Sequence, residues 1–323
     1  MMDRRHALLG LGASALGVST HTWAQTAWPV KPVKFVVAFA PGGPADIIGR
    51  VLGQKLGEVL GQSVVVENKA GAGGSIASGV VAKAEADGYT LLINTSSYAV
   101  NPAMARTQSF DAEKDLLLAS LVASSPNLVV AAPNLKAKNL KEAIEEARGG
   151  KYNYGTAGAG TTPQLSAEYL FKVLAKVNVT HVPFQGAGPA LNAAMGGQIE
   201  LASVALPAAV ELVKAGKVRG LAVTSNKRVA AIPDVPTVAE SGFPGFEDYT
   251  WVGVFAPAKT PEAIVQRINR EIAAIQRMPD FQARLAAAGF EVMGGSTQEA
   301  QNYLRAELGK WARVVRETGA KAD

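Results

Sequence analysis

Cysteine is absent from the 323-residue chain. Disulfides, thiolate nucleophiles and cysteine-based metal sites are therefore excluded, and a chain without stray thiols suits an oxidising compartment. Histidine is almost absent: of three, His6 and His21 lie in the first 24 residues, which leaves His181. Any Ser-His-Asp arrangement would have to use it. It sits in "NVTHVPF", a strand running into a turn, where a structural or cleft-edge role is expected. No G-x-S-x-G elbow is present, which counts against a secreted hydrolase. Basic runs and basic–aromatic interleaving are also missing, so a formal charge of +5 leaves no nucleic-acid footprint. Nucleotide loops are incomplete. "GAGGSI" has Ile76 and "GAGTTP" has Pro163 where a dinucleotide fingerprint needs its third glycine, and no glycine turn carries Gly-Lys-Ser/Thr.

The N-terminus has the layout of a secretory signal peptide over residues 1–24. Arg4 and Arg5 precede the apolar run "ALLGLGASALGV", and "TWA" ends at Ala24 with small residues at the cleavage positions. The run is too short to span a bilayer, and no later segment is long and apolar enough to do so. Export to the periplasm is expected; the paired arginines fit the twin-arginine signal poorly. Hydrophobic residues at 48% and charged residues at 18% describe a globular chain, long enough for two domains with their own cores.

After the leader, strand and helix patterns alternate. "VKFVVAFA" reads as a buried strand, and Ile47, Ile48, Val51, Leu52, Leu56, Val59 and Leu60 recur at helical spacing after it. "SVVVEN", "GYTLLINT", "PNLVVAA", "VNVTHVPF", "IELASVAL" and "VRGLAVTS" read as further strands with helices between them, which implies a largely parallel sheet. The last third is mostly helical. Thr260 and Pro261 open one helix with Ile264, Ile268, Ile272 and Ile275 on one face; another runs from Thr297 with Leu304, Leu308, Trp311 and Val315 inward.

Two glycine turns, "APGGPAD" and "GTAGAGTTP", lie in different halves of the chain, each between a strand and a helix. Ligands of open α/β sheets lie beyond the carboxyl ends of the strands, and first-turn N–H groups have no partner inside their helix. If the halves form two lobes, the turns face one another, with the Thr161 and Thr162 hydroxyls beside the second. That chemistry suits a carboxylate; the plainer reading is that the glycines permit tight turns and the threonines cap a helix. With Gly43 as cap and Pro44 as first residue, Asp46 falls at the third helical position. There it either caps free N–H groups or meets a ligand ammonium or hydroxyl.

The order of "FAPGGPAD", "VVVENKAGAGG", "ADGYTLLI", "HVPFQGAGPA", "GKVRGLAVTS", "RVAAIPDVPTVAESGFPG" and "WVGVFAPAKTPEAIV" resembles the Bug family, extracytoplasmic receptors of tripartite tricarboxylate transporters. The resemblance covers essentially the whole mature chain. It implies an α/β type II periplasmic-binding fold, two lobes joined by two crossing strands, with the ligand cleft between them. Lobe 1 is expected at 25–122 and 252–323, and lobe 2 at 123–251. It implies a monomeric binding protein without catalysis, cofactor or metal. The expected ligand is a small carboxylate (dicarboxylate, amino acid or aromatic acid), delivered to membrane permease subunits; a ligand sensor feeding a signalling partner would share this fold. Carried over residue by residue, the stretch Pro41 to Asp46, with Pro41, Gly42, Gly43 and Asp46, would grip one carboxylate together with the stretch Thr156 to Thr162, with Thr156, Ala157, Ala159, Gly160, Thr161 and Thr162. Phe39 would touch the ligand body, and Thr95, Ser96 and Ser97 would line the first lobe. Two segments depart from the family pattern: Gln164 stands where histidine is usual, and Phe184-Gln185 where Tyr-Lys is usual. The lost hydroxyl and charge argue against a tricarboxylate.

The exported protein is expected to begin at Gln25, which intact-mass analysis of periplasmic material checks directly.

Overall fold

The computed structural model describes residues 28–104, 109–150 and 152–318. The expected leader and the Gln25 start lie outside these residues. The chain begins with β1 (Val33–Val37), α1 (Pro44–Leu60), β2 (Val64–Asn68), α2 (Ser75–Ala82), β3 (Thr90–Thr95) and α3 (Ser97–Met104). The long strand β4 (Leu116–Ala131) leads into α4 (Leu140–Gly149), β5 (Tyr152–Thr156), α5 (Thr162–Glu168), β6 (Val179–Pro183), α6 (Ala187–Met195), β7 (Leu201–Ala205), α7 (Val210–Lys214) and β8 (Arg219–Val223). Strand β9 (Tyr249–Pro257) returns the chain to α8 (Glu262–Gln276), α9 (Pro279–Ala287), β10 (Glu291–Val292) and α10 (Thr297–Thr318).

The sheet order is β2-β1-β3-β9-β4-β7-β5-β6, with β8 and β10 also paired to β4. β1 is parallel to β2 and β3, and β5 is parallel to β6 and β7. The expectation of a largely parallel sheet is corrected at the centre. β9 is antiparallel to β3 and β4, and β4 is antiparallel to β7. Helical crossovers return β2 and β3 parallel to β1, and β6 and β7 parallel to β5, whereas β4 and β9 traverse the molecule in opposite directions. β4 pairs with β9 from Leu116 to Pro126 and with β7 from Asn127 onward, so one strand serves both lobes.

Apolar periodicity becomes packing. In the first lobe Phe35, Leu52, Leu92, Phe255 and Ile272 are fully buried in one core. The second lobe has apolar clusters around Tyr154, Phe171, Leu201 and Leu221, and around Leu191, Val204, Leu206 and Val223. Ile268, Ile272 and Ile275 of α8 are buried as expected, and Ile264 is partly buried. The helix itself starts one residue late: Pro261 is its cap and Glu262 its first residue, while the buried Thr260 hydroxyl has no partner among the described residues. Proline at the cap position offers no side-chain acceptor to the first-turn N–H groups, and Thr260 sits one residue too early to cap.

The C-terminal helix is tied to the crossing strand by one carboxylate. Glu307, buried on α10, accepts hydrogen bonds from the Trp251 indole N–H at 3.0 Å and the Trp311 indole N–H at 2.9 Å. Lys310 donates to its other oxygen at 3.2 Å. Replacing Glu307 by alanine strands two buried indole donors, and each unsatisfied donor costs about 1–3 kcal/mol. Glu307→Ala is therefore expected to lower stability by about 2–5 kcal/mol and Glu307→Gln by less, read from denaturant midpoints at constant slope.

Candidate functional site

The two glycine turns are built alike. In the first, Gly42 is left-handed (φ 88°), Gly43 is the extended cap, Pro44 opens α1, and the third helical residue reaches back. Asp46 Oδ2 accepts the Gly42 N–H at 3.0 Å. In the second, Gly160 is left-handed (φ 77°), Thr161 is the extended cap, and Pro163 is the second residue of α5. Gln164 Oε1 accepts the Gly160 N–H at 2.8 Å. Each loop thus ends in a glycine whose N–H is held by an oxygen four residues on, so both backbones are fixed before any ligand arrives. Gly-x-x-x-acceptor spacing is the sequence signal for this device.

Asp46 is more heavily engaged than Gln164. Its carboxylate also accepts from Arg50 Nε at 3.0 Å and Asn68 Nδ2 at 2.9 Å. Burial pushes its pKa up, but the bonds from Arg50, Gly42 and Asn68 and the Arg50 charge together hold it below the usual carboxylate range. Of the two roles open to Asp46, the geometry is that of a loop brace.

Between the loops lies a cavity with a free volume of about 20 Å³, lined by Phe39, Gly43, Pro44, Thr95, Ala157, Thr161, Pro163, Ala187, Ala205 and Thr250. That is room for about one water. None of these side chains is charged. Three helix starts converge on it: α1 at Pro44, α5 at Thr161 and Pro163, and α6 at Ala187. First-turn N–H groups and the helix dipoles favour negative charge at such a point. Larger hollows, about 540 Å³ beside Phe110 and about 650 Å³ beside Phe243, share no lining residue with it.

Phe39, Gly43, Thr95, Ala157 and Thr161 were expected at the cleft and line this cavity. Pro44, inside the expected Pro41–Asp46 stretch, lines it too, as do Pro163, Ala187, Ala205 and Thr250, which lay outside the expected set. The other expected residues lie around it. Pro41, Gly42 and Asp46 form the frame of the first loop, and Thr156, Ala159, Gly160 and Gln164 that of the second. Ser97 donates to Asn94 Oδ1 at 3.3 Å and is bonded to Thr95 at 2.9 Å. Phe184 lies over Gly155 of β5 and donates its backbone N–H to Thr156 O. His181 Nε2 is bonded to Thr156 Oγ1 at 2.7 Å and its ring lies 5.1 Å from that of Tyr154, a structural position at the edge of the second loop. Among the described residues, no group of three or more His, Asp or Glu is placed to hold a metal.

The hydroxyls form a directed chain. Asn127 on β4 donates Nδ2–H to Asp248 Oδ2 at 2.8 Å, so its Oδ1 faces Thr250 and accepts that hydroxyl at 2.7 Å. Thr250 has one proton, now assigned; the 2.7 Å bond between Thr162 and Thr250 must then be donated by Thr162. By the same count Ser96 donates to Thr162 at 3.0 Å. Ser96 belongs to the first lobe and Thr162 to the second, so the chain fastens the lobes together across the cleft. The Thr162 proton, expected to meet a carboxylate, is committed to Thr250; the Thr161 hydroxyl donates to Gly158 O at 2.8 Å. In this arrangement an anion would be met by backbone N–H groups rather than by these two hydroxyls.

At the far end of the chain, Asp248 also accepts from Ser166. The residue as a whole is half-buried, but its carboxylate lies inside the packing. Burial pushes its pKa up from 3.8 to about 7, against the lowering effect of Ser166, of Lys310 and of the Tyr249 backbone N–H.

Comparison with known proteins matches residues 48–320 to a family model described as the tripartite tricarboxylate transporter family receptor. Protein BugT of Bordetella pertussis is 35% identical over 324 residues, 99% of each chain. A Rhodopseudomonas palustris protein solved with adipate is 36% identical with a TM-score of 0.87, covering 91% of this chain and 99% of its own. MatC from the same organism, solved with bound malate, is 33% identical with a TM-score of 0.84, covering 89% and 100%.

The raised pKa of Asp248 has a signed consequence. The folded chain keeps a proton that the unfolded chain releases between about pH 4 and about 7, so this group's contribution to stability falls as pH rises through that window. Asp248→Asn keeps an acceptor for Ser166 and Asn127 while removing the titration. Denaturation midpoints of parent and variant are expected to diverge progressively from pH 4 to 7, the parent losing stability relative to the variant.

Proposed function

Because the chain belongs to the tripartite tricarboxylate transporter receptor family, we propose that it captures a small carboxylate between its lobes outside the cytoplasmic membrane and presents it to a membrane permease. The observation that carries this reading is the pair of braced glycine loops opening α1 and α5 onto one cavity that no charged side chain lines. Negative charge there is met by oriented N–H groups, which also bind a neutral amide far less well than an anion. The adipate and malate bound by the two Rhodopseudomonas proteins support a carboxylate as the ligand class. The lobes divide near residues 122 and 251, the leader is removed after Ala24, and the receptor works as a monomer. Pro41, Gly42 and Gly43 on one side, and Ala157 to Thr162 on the other, surround the bound carboxylate, with Phe39 against its body.

Binding consists of closure without chemistry. Charge-assisted bonds contribute about 1.5–3 kcal/mol each. A few of them, after the cost of ordering the ligand, give about −8 kcal/mol, a micromolar Kd. Titration calorimetry with adipate, malate, benzoate and glutamate is expected to give micromolar binding for at least one acid. Its fully methylated ester should bind at least 100-fold more weakly, and His181→Ala should leave the acid's Kd within about threefold. Equal binding of acid and ester would remove the basis for a carboxylate site.

A further inference from the structure

The first loop and the start of α6 touch more closely than side chains permit. Ala40 donates its N–H to Gln185 O at 3.0 Å, a backbone bond between the lobes. A Cβ on Gly186 would lie 3.0 Å from Ala40 Cβ. A Cβ on Gly188 would lie 2.7 Å from the carbonyl oxygen of Pro41. That oxygen belongs to backbone and is held on both sides: Asn68 donates to Phe39 O at 2.9 Å, and Asp46 accepts from Gly42 N–H. It has little freedom to swing away.

Nothing local requires glycine at 188. It is the second residue of α6, and its φ is not left-handed, unlike Gly42, whose turn demands φ 88°. Alanine is the better helix former. The close contact with Pro41 is what glycine permits there. We propose that Gly188 is a positioning residue that sets the depth of cleft closure. Its missing side chain lets the N-terminus of α6 reach the first loop, which brings Ala187 and the α6 dipole to the wall of the cavity. This rests on the reading of the protein as a receptor that closes on its ligand.

The chain supplies its own clean reporter, because it has no cysteine. A Cβ built on Gly43 lies 3.8 Å from Ala187 Cβ, the mean separation in disulfides. The double variant Gly43→Cys with Ala187→Cys therefore cross-links only when the lobes meet as described. Oxidation under mild diamide, followed by gel shift after alkylation, is compared in three backgrounds: parent, Gly188→Ala and Gly309→Ala. Gly309 is an exposed position of α10 with nothing within 4 Å of a built Cβ, so alanine there tests helix propensity alone. The expected result is ready cross-linking in the parent and in Gly309→Ala, and at least tenfold slower cross-linking in Gly188→Ala, whose melting temperature is unchanged or raised. Equal rates in Gly188→Ala, no cross-linking in the parent, or a lowered melting temperature for Gly188→Ala would each overturn the proposal. Calorimetry with adipate and malate on the cysteine-free proteins separates this from the receptor reading. Slowed cross-linking with no acid bound would leave the closure device standing and remove the carboxylate. Acid binding with unchanged cross-linking would do the reverse.

Discussion

The antiparallel ladder between β4 and β9 is the constraint on which the rest depends. It runs from Leu116 opposite Pro257 to Pro126 opposite Tyr249, and register shifts after Leu118 and after Leu121 bend it on the way. β3 extends the sheet from β9, β10 pairs with β4 in the first lobe, and β7 and β8 are laid on the far end of β4. The first lobe is therefore hydrogen-bonded to both strands and the second lobe to the far end of β4, and any movement of one lobe against the other must twist this ladder. The residues that connect cleft to hinge sit at that junction: Asn127 on β4, with Thr250 on β9 and Asp248 just before it.

On this spine the two lobes repeat one solution to an elementary problem. A helix start leaves N–H groups unpaired, and a tight turn before it needs a left-handed residue. Glycine supplies the turn, proline sets the first helical dihedrals, and an oxygen four residues after the glycine holds the turn in place. Asp46 does this with a carboxylate and Gln164 with an amide, so only the first loop carries a charge in its frame, and Arg50 balances that charge. The starts of both helices lie at the cavity wall, where Gly43 and Pro44 meet Thr161 and Pro163.

Much of this was legible in the sequence, for identifiable reasons. The strand–turn–helix unit at residues 33–60 declares itself through Val and Phe in the strand, Gly-Gly-Pro at the turn and apolar spacing in the helix; the second loop does the same through Thr161, Thr162 and Pro163. The parts that were not legible come from separate elements meeting in space. Ala187, Ala205 and Thr250 are unremarkable in their own segments and acquire meaning because three elements place them on one wall. The direction of the Thr162 proton was beyond sequence reasoning for a similar reason: it is decided by Asn127, which is decided by Asp248, far away along the chain. The late start of α8 is a smaller case, in which Thr260 offered good capping chemistry and the backbone turned one residue further on.

A wall without ionisable side chains has a consequence for acidity. Outside the cytoplasmic membrane, pH follows the surroundings. The side chains lining this cavity are all uncharged, so they present the same surface in mildly acid and mildly alkaline medium alike. At the wall itself, the ionisation that varies is the solute's own. Proton concentration enters the protein's side of the equilibrium at the opposite end of the hydroxyl chain, through Asp248, where it bears on the hinge and not on recognition. Selectivity and mobility are thereby exposed to different environmental variables.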